Sequence, residues 1–140
     1  MDWNACGTGK LDYSCAYFAL AKSFVFRKWC DLATERGLAP PTDLSGACKY
    51  GSLFMHGVFG GSIRGHYQHQ YNRIDGRTVD LSHDAADVGA MGQPYLHEPD
   101  YFALPSLRLS LDACVPRVND WVIEFLIEVR AAEGATSSGG

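Results

Sequence analysis

The spacing of apolar residues along the chain predicts three helices and one hairpin. Between about residues 13 and 36, Phe18, Ala21, Val25, Trp29, Leu32 and Ala33 recur at three- and four-residue steps. Lys22, Lys28, Asp31 and Glu35 take other positions, and Gly37 follows as a stop signal, so the stretch reads as a long, half-buried helix. Residues 38–43, with Pro40 and Pro41, cannot continue it, because proline fixes its own φ and pushes the residue before it into extended backbone. Asp43 or Ser45 can then cap a second helix, whose apolar positions Leu53, Phe54 and Val58 precede Gly60-Gly61. Cys48 falls in the first turn of that helix.

Further on, the run from His66 to Ile74 and the run Arg77-Thr78-Val79-Asp80-Leu81 flank Asp75-Gly76. Asp-Gly between extended runs predicts an antiparallel hairpin with a type I′ turn, which needs positive φ at both central residues. Residues 92–113 carry Pro94, Pro99 and Pro105 with the aromatic residues Tyr95, Tyr101 and Phe102, and are expected to be mostly loop near the site. Within them, Leu107, Leu109 and Leu111 alternate like a short strand. A last amphipathic helix is expected over 115–132: Val118, Trp121, Val122, Phe125, Leu126 and Val129 share one face, and Pro116 suits the first turn. The low-complexity end, residues 135–140, reads as a flexible tail.

Length and composition narrow the class. The chain has 140 residues, 46% apolar and 20% charged. This is enough for one core and predicts a single α+β domain over residues 1–134, since domains run roughly 100–200 residues. Twelve basic against sixteen acidic residues give a net charge of -4, the wrong sign for a protein whose partner is nucleic acid or an anionic membrane. The five cysteines, Cys6, Cys15, Cys30, Cys48 and Cys114, are odd in number and widely spaced, which argues against a disulfide framework or a zinc knuckle. No cofactor is implied. No secretory leader is legible and no stretch approaches the roughly 18 apolar residues of a membrane span, so a soluble, cytoplasmic protein with most thiols packed in the core is expected.

The hairpin register places a possible reaction centre. If Asp75-Gly76 is the turn, Ile74 pairs with Arg77 and Asn72 with Val79, and His69 and Asp80 become diagonal neighbours on one face, about 7 Å apart at Cβ, within reach of a hydrogen bond. Ile74, Val79 and Leu81 take the other face, against a helix. Cys48, at a helix start, meets the positive end of the macrodipole and unpaired N–H groups, which favour a thiolate and can receive an oxyanion. Cys48, His69 and Asp80 thus read as nucleophile, general base and orienter. Beside this stands the ordinary reading of a helix-start cysteine as a packed core thiol.

In this region the sequence resembles the YunG-like family of small bacterial proteins. That signature runs Gly-x-Cys, aromatic-Gly-Gly-x-Ile, His-x-Tyr-Asn-Arg-Ile-x-Gly and Asp-Leu-Ser/Thr. Here it is matched by Gly46-Ala47-Cys48, Phe59-Gly60-Gly61-Ser62-Ile63, the run from His69 to Gly76, and Asp80-Leu81-Ser82. The resemblance covers residues 46–82 and implies a papain- or transglutaminase-like fold with Cys48, His69 and Asp80 in the positions of a triad. The family commonly has Gln before the cysteine, where this chain has Ala47, and the half from Asp84 onward matches no part of the signature. Substrate selection is expected there, with Tyr71, Tyr95, Tyr101 and Phe102 as substrate-binding candidates.

Competing assignments are a metal site on His66, His69 and His83, joined by His56 or His97, which is disfavoured if His66 and His69 lie on opposite faces of one strand. Asn72 is an alternative orienter that the register turns away from His69. His56 is expected to be solvent-facing or structural, Cys15 and Cys30 to pack in the core, and Cys6 to be exposed. The function expected is a cysteine-nucleophile hydrolase acting on a peptide, protein or small amide through an acyl-enzyme. An acyl transferase and a catalytically inactive protein-binding module are the alternatives. The sequence leaves the oligomeric state open.

Overall fold

The computed structural model describes residues 2–138 and is an α+β fold with a small antiparallel sheet. In chain order the elements are β1 (Gly7–Thr8), α1 (Cys15–Glu35), α2 (Cys48–Phe59), β2 (Gly60–His66), β3 (His69–Ile74), β4 (Arg77–Val79), α3 (Ala86–Gly89), a 3₁₀ turn (Pro99–Ala103) and α4 (Pro105–Ser138). The strands lie in the order β1-β2-β3-β4, each antiparallel to its neighbour.

Helix α1 begins at Ser14, whose hydroxyl accepts the Tyr17 N–H at 3.1 Å, and buries Ala21, Phe24, Val25 and Leu32. Helix α2 is the centre of the molecule. Residues Gly51 to Met55, Val58 and Phe59 are buried, and the helix touches β2 and β3 as well as α4. Phe54, wholly buried, stacks on Phe24 of α1 at 5.5 Å and meets Phe125 of α4 edge-on at 5.3 Å, so three helices share one aromatic knot.

No loop separates α2 from β2. Gly60 (φ 76°) and Gly61 (φ 69°) reverse the chain directly, and a Cβ on Gly60 would lie 2.6 Å from the Gly7 carbonyl oxygen. The pair expected only as a helix stop is therefore the hinge-free joint between helix and strand. The hairpin register is the expected one, with Asn72 opposite Val79 and Ile74 opposite Arg77. Asp75 (φ 52°) and Gly76 (φ 74°) supply the turn.

Several expectations change. Residues His66 and His69 do not share a strand: β2 ends at His66, β3 begins at His69, and the two are direct cross-strand partners around the Tyr67-Gln68 turn. The two-residue turn puts both on one face, so the argument from strand parity against a joint site falls. Residues 107–111 are helical, because Leu107, Leu111, Cys114, Val118, Trp121, Phe125 and Val129 form one buried stripe at steps of three and four, while Leu109 is exposed. Pro105, not Pro116, opens that helix. Pro116 sits in its interior on an exposed position, one turn after the exposed Asp112, so the carbonyl that lacks a partner faces water. Asp43 and Ser45 do not cap α2. Asp43 accepts the N–H groups of Ser45 (2.9 Å) and Ala86 (2.8 Å), and the Ser45 hydroxyl accepts that of Asp87 at 3.2 Å, tying this loop to α3.

Helix α4 reaches Ser138, into the stretch expected as a tail; the side chains of 135–138 and residues 139–140 lie outside the described residues. It runs antiparallel to α1, as Arg27–Glu128, Lys28–Glu124 and Glu35–Arg117 show by their reversed order. These exposed pairs fix alignment more than they stabilise, each contributing about 0–1 kcal/mol. Among the described residues no helix is long and apolar enough to cross a membrane.

Replacing Phe54 by Ala should cost about 3–5 kcal/mol, because it empties the contact shared by three helices. Urea denaturation reads this directly, and a loss below about 1 kcal/mol would contradict the central role of α2 in the core.

Candidate active site

Cys48 is the first residue of α2, preceded by the buried Ala47, and no side chain caps this helix end. The first N–H groups of a helix have no intrahelical carbonyl, so those of Cys48 and Lys49 have no partner within α2. The thiol is half-buried and donates to Gln70 Oε1 at 3.2 Å.

His69 opens β3 with its side chain only 1% exposed, and its Nε2 lies 2.7 Å from Asp80 Oδ2. Asp80 follows β4 directly and is also buried. Its Oδ1 accepts the Ser82 N–H at 2.9 Å, and its Oδ2 also accepts the Tyr95 hydroxyl at 3.1 Å. Three donors therefore hold the carboxylate, as a buried anion requires. With Nε2 engaged by Asp80, Nδ1 is the ring nitrogen left for a second partner.

The Cys48 sulfur acts on the same imidazole, and the balance of forces on the ring is informative. Burial is the largest single influence and pulls the His69 pKa down. The hydrogen bonds to Asp80 and to the Cys48 sulfur, with the charges of both groups, outweigh it and push the value up to about 9. Tyr95 is pushed up to about 12 by burial, then by the charge of Asp80 and its hydrogen bond to it, so its hydroxyl stays a donor across the neutral range.

The aromatic candidates divide. Tyr71 is 4% exposed, stacks on the His69 ring at 6.0 Å and donates to the Tyr95 carbonyl at 2.7 Å. It supports the imidazole from beneath and is not an open wall. Phe102 is likewise buried, against His97 and Tyr101. Both substrate-binding candidates are thus taken up in packing in this structure. Tyr95 is partly exposed but spends its hydroxyl on Asp80. Tyr101 is half-buried, and its phenol pKa is raised by burial and by the charge of Cys48, which places it near the sulfur.

Asn72 turns to the other face and donates to the Ser52 carbonyl at 2.9 Å, so Asp80 is the partner of His69. The remaining histidines are engaged separately. His56 Nδ1 meets the Gly61 carbonyl at 3.1 Å, His66 Nε2 meets that of Pro94 at 3.3 Å, His97 Nδ1 accepts the Gly65 N–H at 3.2 Å, and His83 lies beside Lys22. Among the described residues no cluster of three metal-binding side chains occurs. The core placement expected for Cys15 and Cys30 does not hold, because Cys15 is exposed at the start of α1 and Cys30 is half-buried; Cys114 is the packed thiol.

One residue, Gln70, and one role, that of Tyr95, escaped the sequence reading. Gln70 was masked by strand parity, which turns it away from its neighbour His69, yet at the strand end its amide reaches the sulfur. Tyr95 as a brace for Asp80 had no local signal, since a loop residue's partner across the fold leaves no spacing to read. Comparison of the chain with known protein families, with curated proteins and with solved structures finds no match.

The His69 value carries a stability consequence. Its folded pKa of about 9 lies above the ordinary 6.5, so the protonated ring stabilises the fold fully below pH 6.5, and that contribution is lost as pH rises through 9. The stability difference between the native protein and His69→Gln should shrink over this window in urea denaturation series; a constant difference would contradict the pairing. Tyr95→Phe removes one of the donors to Asp80 and should cost about 1 kcal/mol at neutral pH.

Proposed function

We propose that the chain is a cysteine-nucleophile hydrolase of papain/transglutaminase-like type, acting on an amide or acyl bond of a peptide, protein or small amide. The observation that carries this reading is the buried His69–Asp80 contact at 2.7 Å with the Cys48 sulfur acting on the same ring. The YunG-like motif order supports it, as does the free N-terminus of α2. The five unpaired cysteines fit a reducing compartment such as the cytoplasm.

In this reading the thiol proton passes to His69, leaving a thiolate beside an imidazolium. The sulfur attacks the substrate carbonyl, and the oxyanion meets the N–H groups of Cys48 and Lys49, a role the family's missing Gln would otherwise share. The imidazolium then protonates the leaving amine as the C–N bond breaks, giving a thioester on Cys48. His69 next takes a proton from water, hydroxide adds to the thioester, and the acid and free thiol are released. Asp80 keeps the ring in one tautomer throughout. An amine in place of water would give transfer, which makes transferase chemistry the second enzymatic reading.

At pH about 6, Cys48 should react with iodoacetamide on the order of 100-fold faster than the exposed Cys6 and Cys15, and His69→Ala should erase the excess. Rates equal to those of the exposed thiols would favour a binding module of the same fold. With a turned-over ester or amide, kcat/KM should fall as pH rises through about 9, where His69 loses the proton needed by the leaving group. Asp80→Asn should lower it by about 100- to 10,000-fold.

A further inference from the structure

Gln70 is the polar residue at the sulfur that the mechanism above leaves unused. It is 2% exposed, and its amide is fixed at both ends: Nε2 donates to the His66 carbonyl at 2.6 Å, and Oε1 faces the Cys48 sulfur at 3.2 Å. Turning the amide over would set its oxygen against the His66 carbonyl oxygen, two acceptors at hydrogen-bond distance, so the oxygen end is the one the sulfur meets. An oxygen acceptor stabilises a neutral thiol, which can donate to it, and opposes a thiolate, which cannot.

We propose that Gln70 is a positioning residue that opposes loss of the Cys48 proton, by giving the thiol hydrogen an acceptor that aims it away from the ring. The inference rests on Cys48 being the nucleophile. The thiol carries one hydrogen, and while that hydrogen is directed at Gln70 Oε1 it is not shared with the His69 ring. The nucleophile is thus restrained by one buried neighbour and activated by another, and removing the restraint makes the thiol more reactive.

The test uses the full chain, with iodoacetamide alkylation followed peptide by peptide by mass spectrometry across pH. In Gln70→Met, which is similar in shape but lacks the acceptor, the pH midpoint for Cys48 should fall by about half a unit to one unit, giving roughly three- to tenfold faster reaction at pH about 6. An unchanged or raised midpoint overturns the proposal. If Gln70→Met does not fold, the native protein decides at pH about 5 by infrared spectroscopy of the S–H stretch, assigned by its loss in Cys48→Ser. A band below that of the exposed Cys15 supports the proposal. A band at the Cys15 position, or no Cys48 S–H band, overturns it.

His69→Ala separates this from the functional reading. If Cys48 is already as slow as the exposed thiols and His69→Ala changes nothing, the triad reading fails, while a shifted midpoint in Gln70→Met still upholds the role of Gln70. A fast Cys48 with an unmoved midpoint in Gln70→Met gives the reverse.

Discussion

The constraint on which the rest of the site depends is the burial of Asp80. A carboxylate taken out of water must be surrounded by donors, and each donor comes from a different part of the chain: the His69 ring from β3, the Ser82 N–H from the turn after β4, and the Tyr95 hydroxyl from the segment before the 3₁₀ turn. Satisfying one anion therefore locks the strand end, the following turn and the covering loop into one arrangement. Tyr71 extends the lock by stacking on His69 and holding the Tyr95 backbone. The imidazole has no freedom to tilt away from Cys48 without breaking several of these bonds at once.

The parts of this arrangement that were legible in the sequence are those set by local periodicity. The Asp75-Gly76 turn fixed the register of β3 against β4, because a type I′ turn allows only one pairing, and parity then put Asn72 and His69 on opposite faces. The place of Cys48 in the first turn of α2 followed from the loop before it and the apolar spacing after it, although the helix starts later than a cap at Asp43 or Ser45 would set it.

What was not legible depended on competition between patterns. Strand β2 was hidden because its side chains are buried on both faces, so Gly60 to His66 shows no alternation, and two glycines at its start read as punctuation. Residues 107–111 satisfied two periods at once. Only their continuation into Cys114 and Val118 selects the helical one, and the helix absorbs Pro116 because that residue faces solvent. The polar contacts of Asp43, Gln70 and Tyr95 are long-range choices that no local window contains.

The direct joint between α2 and β2 has a consequence for how the site assembles. Cys48, His69 and Asp80 fall between the start of α2 and the residue after β4, in consecutive elements joined by tight turns or by no loop at all, with His69 and Asp80 only eleven residues apart. Contacts between near neighbours in sequence close at a small entropic penalty. The three side chains are thus brought together by a short, continuous stretch of chain, and α1 and α4 pack around α2 through the Phe24–Phe54–Phe125 contact. A change in those outer helices alters how firmly the unit is held, while the relative placement of sulfur, imidazole and carboxylate stays encoded inside the unit itself.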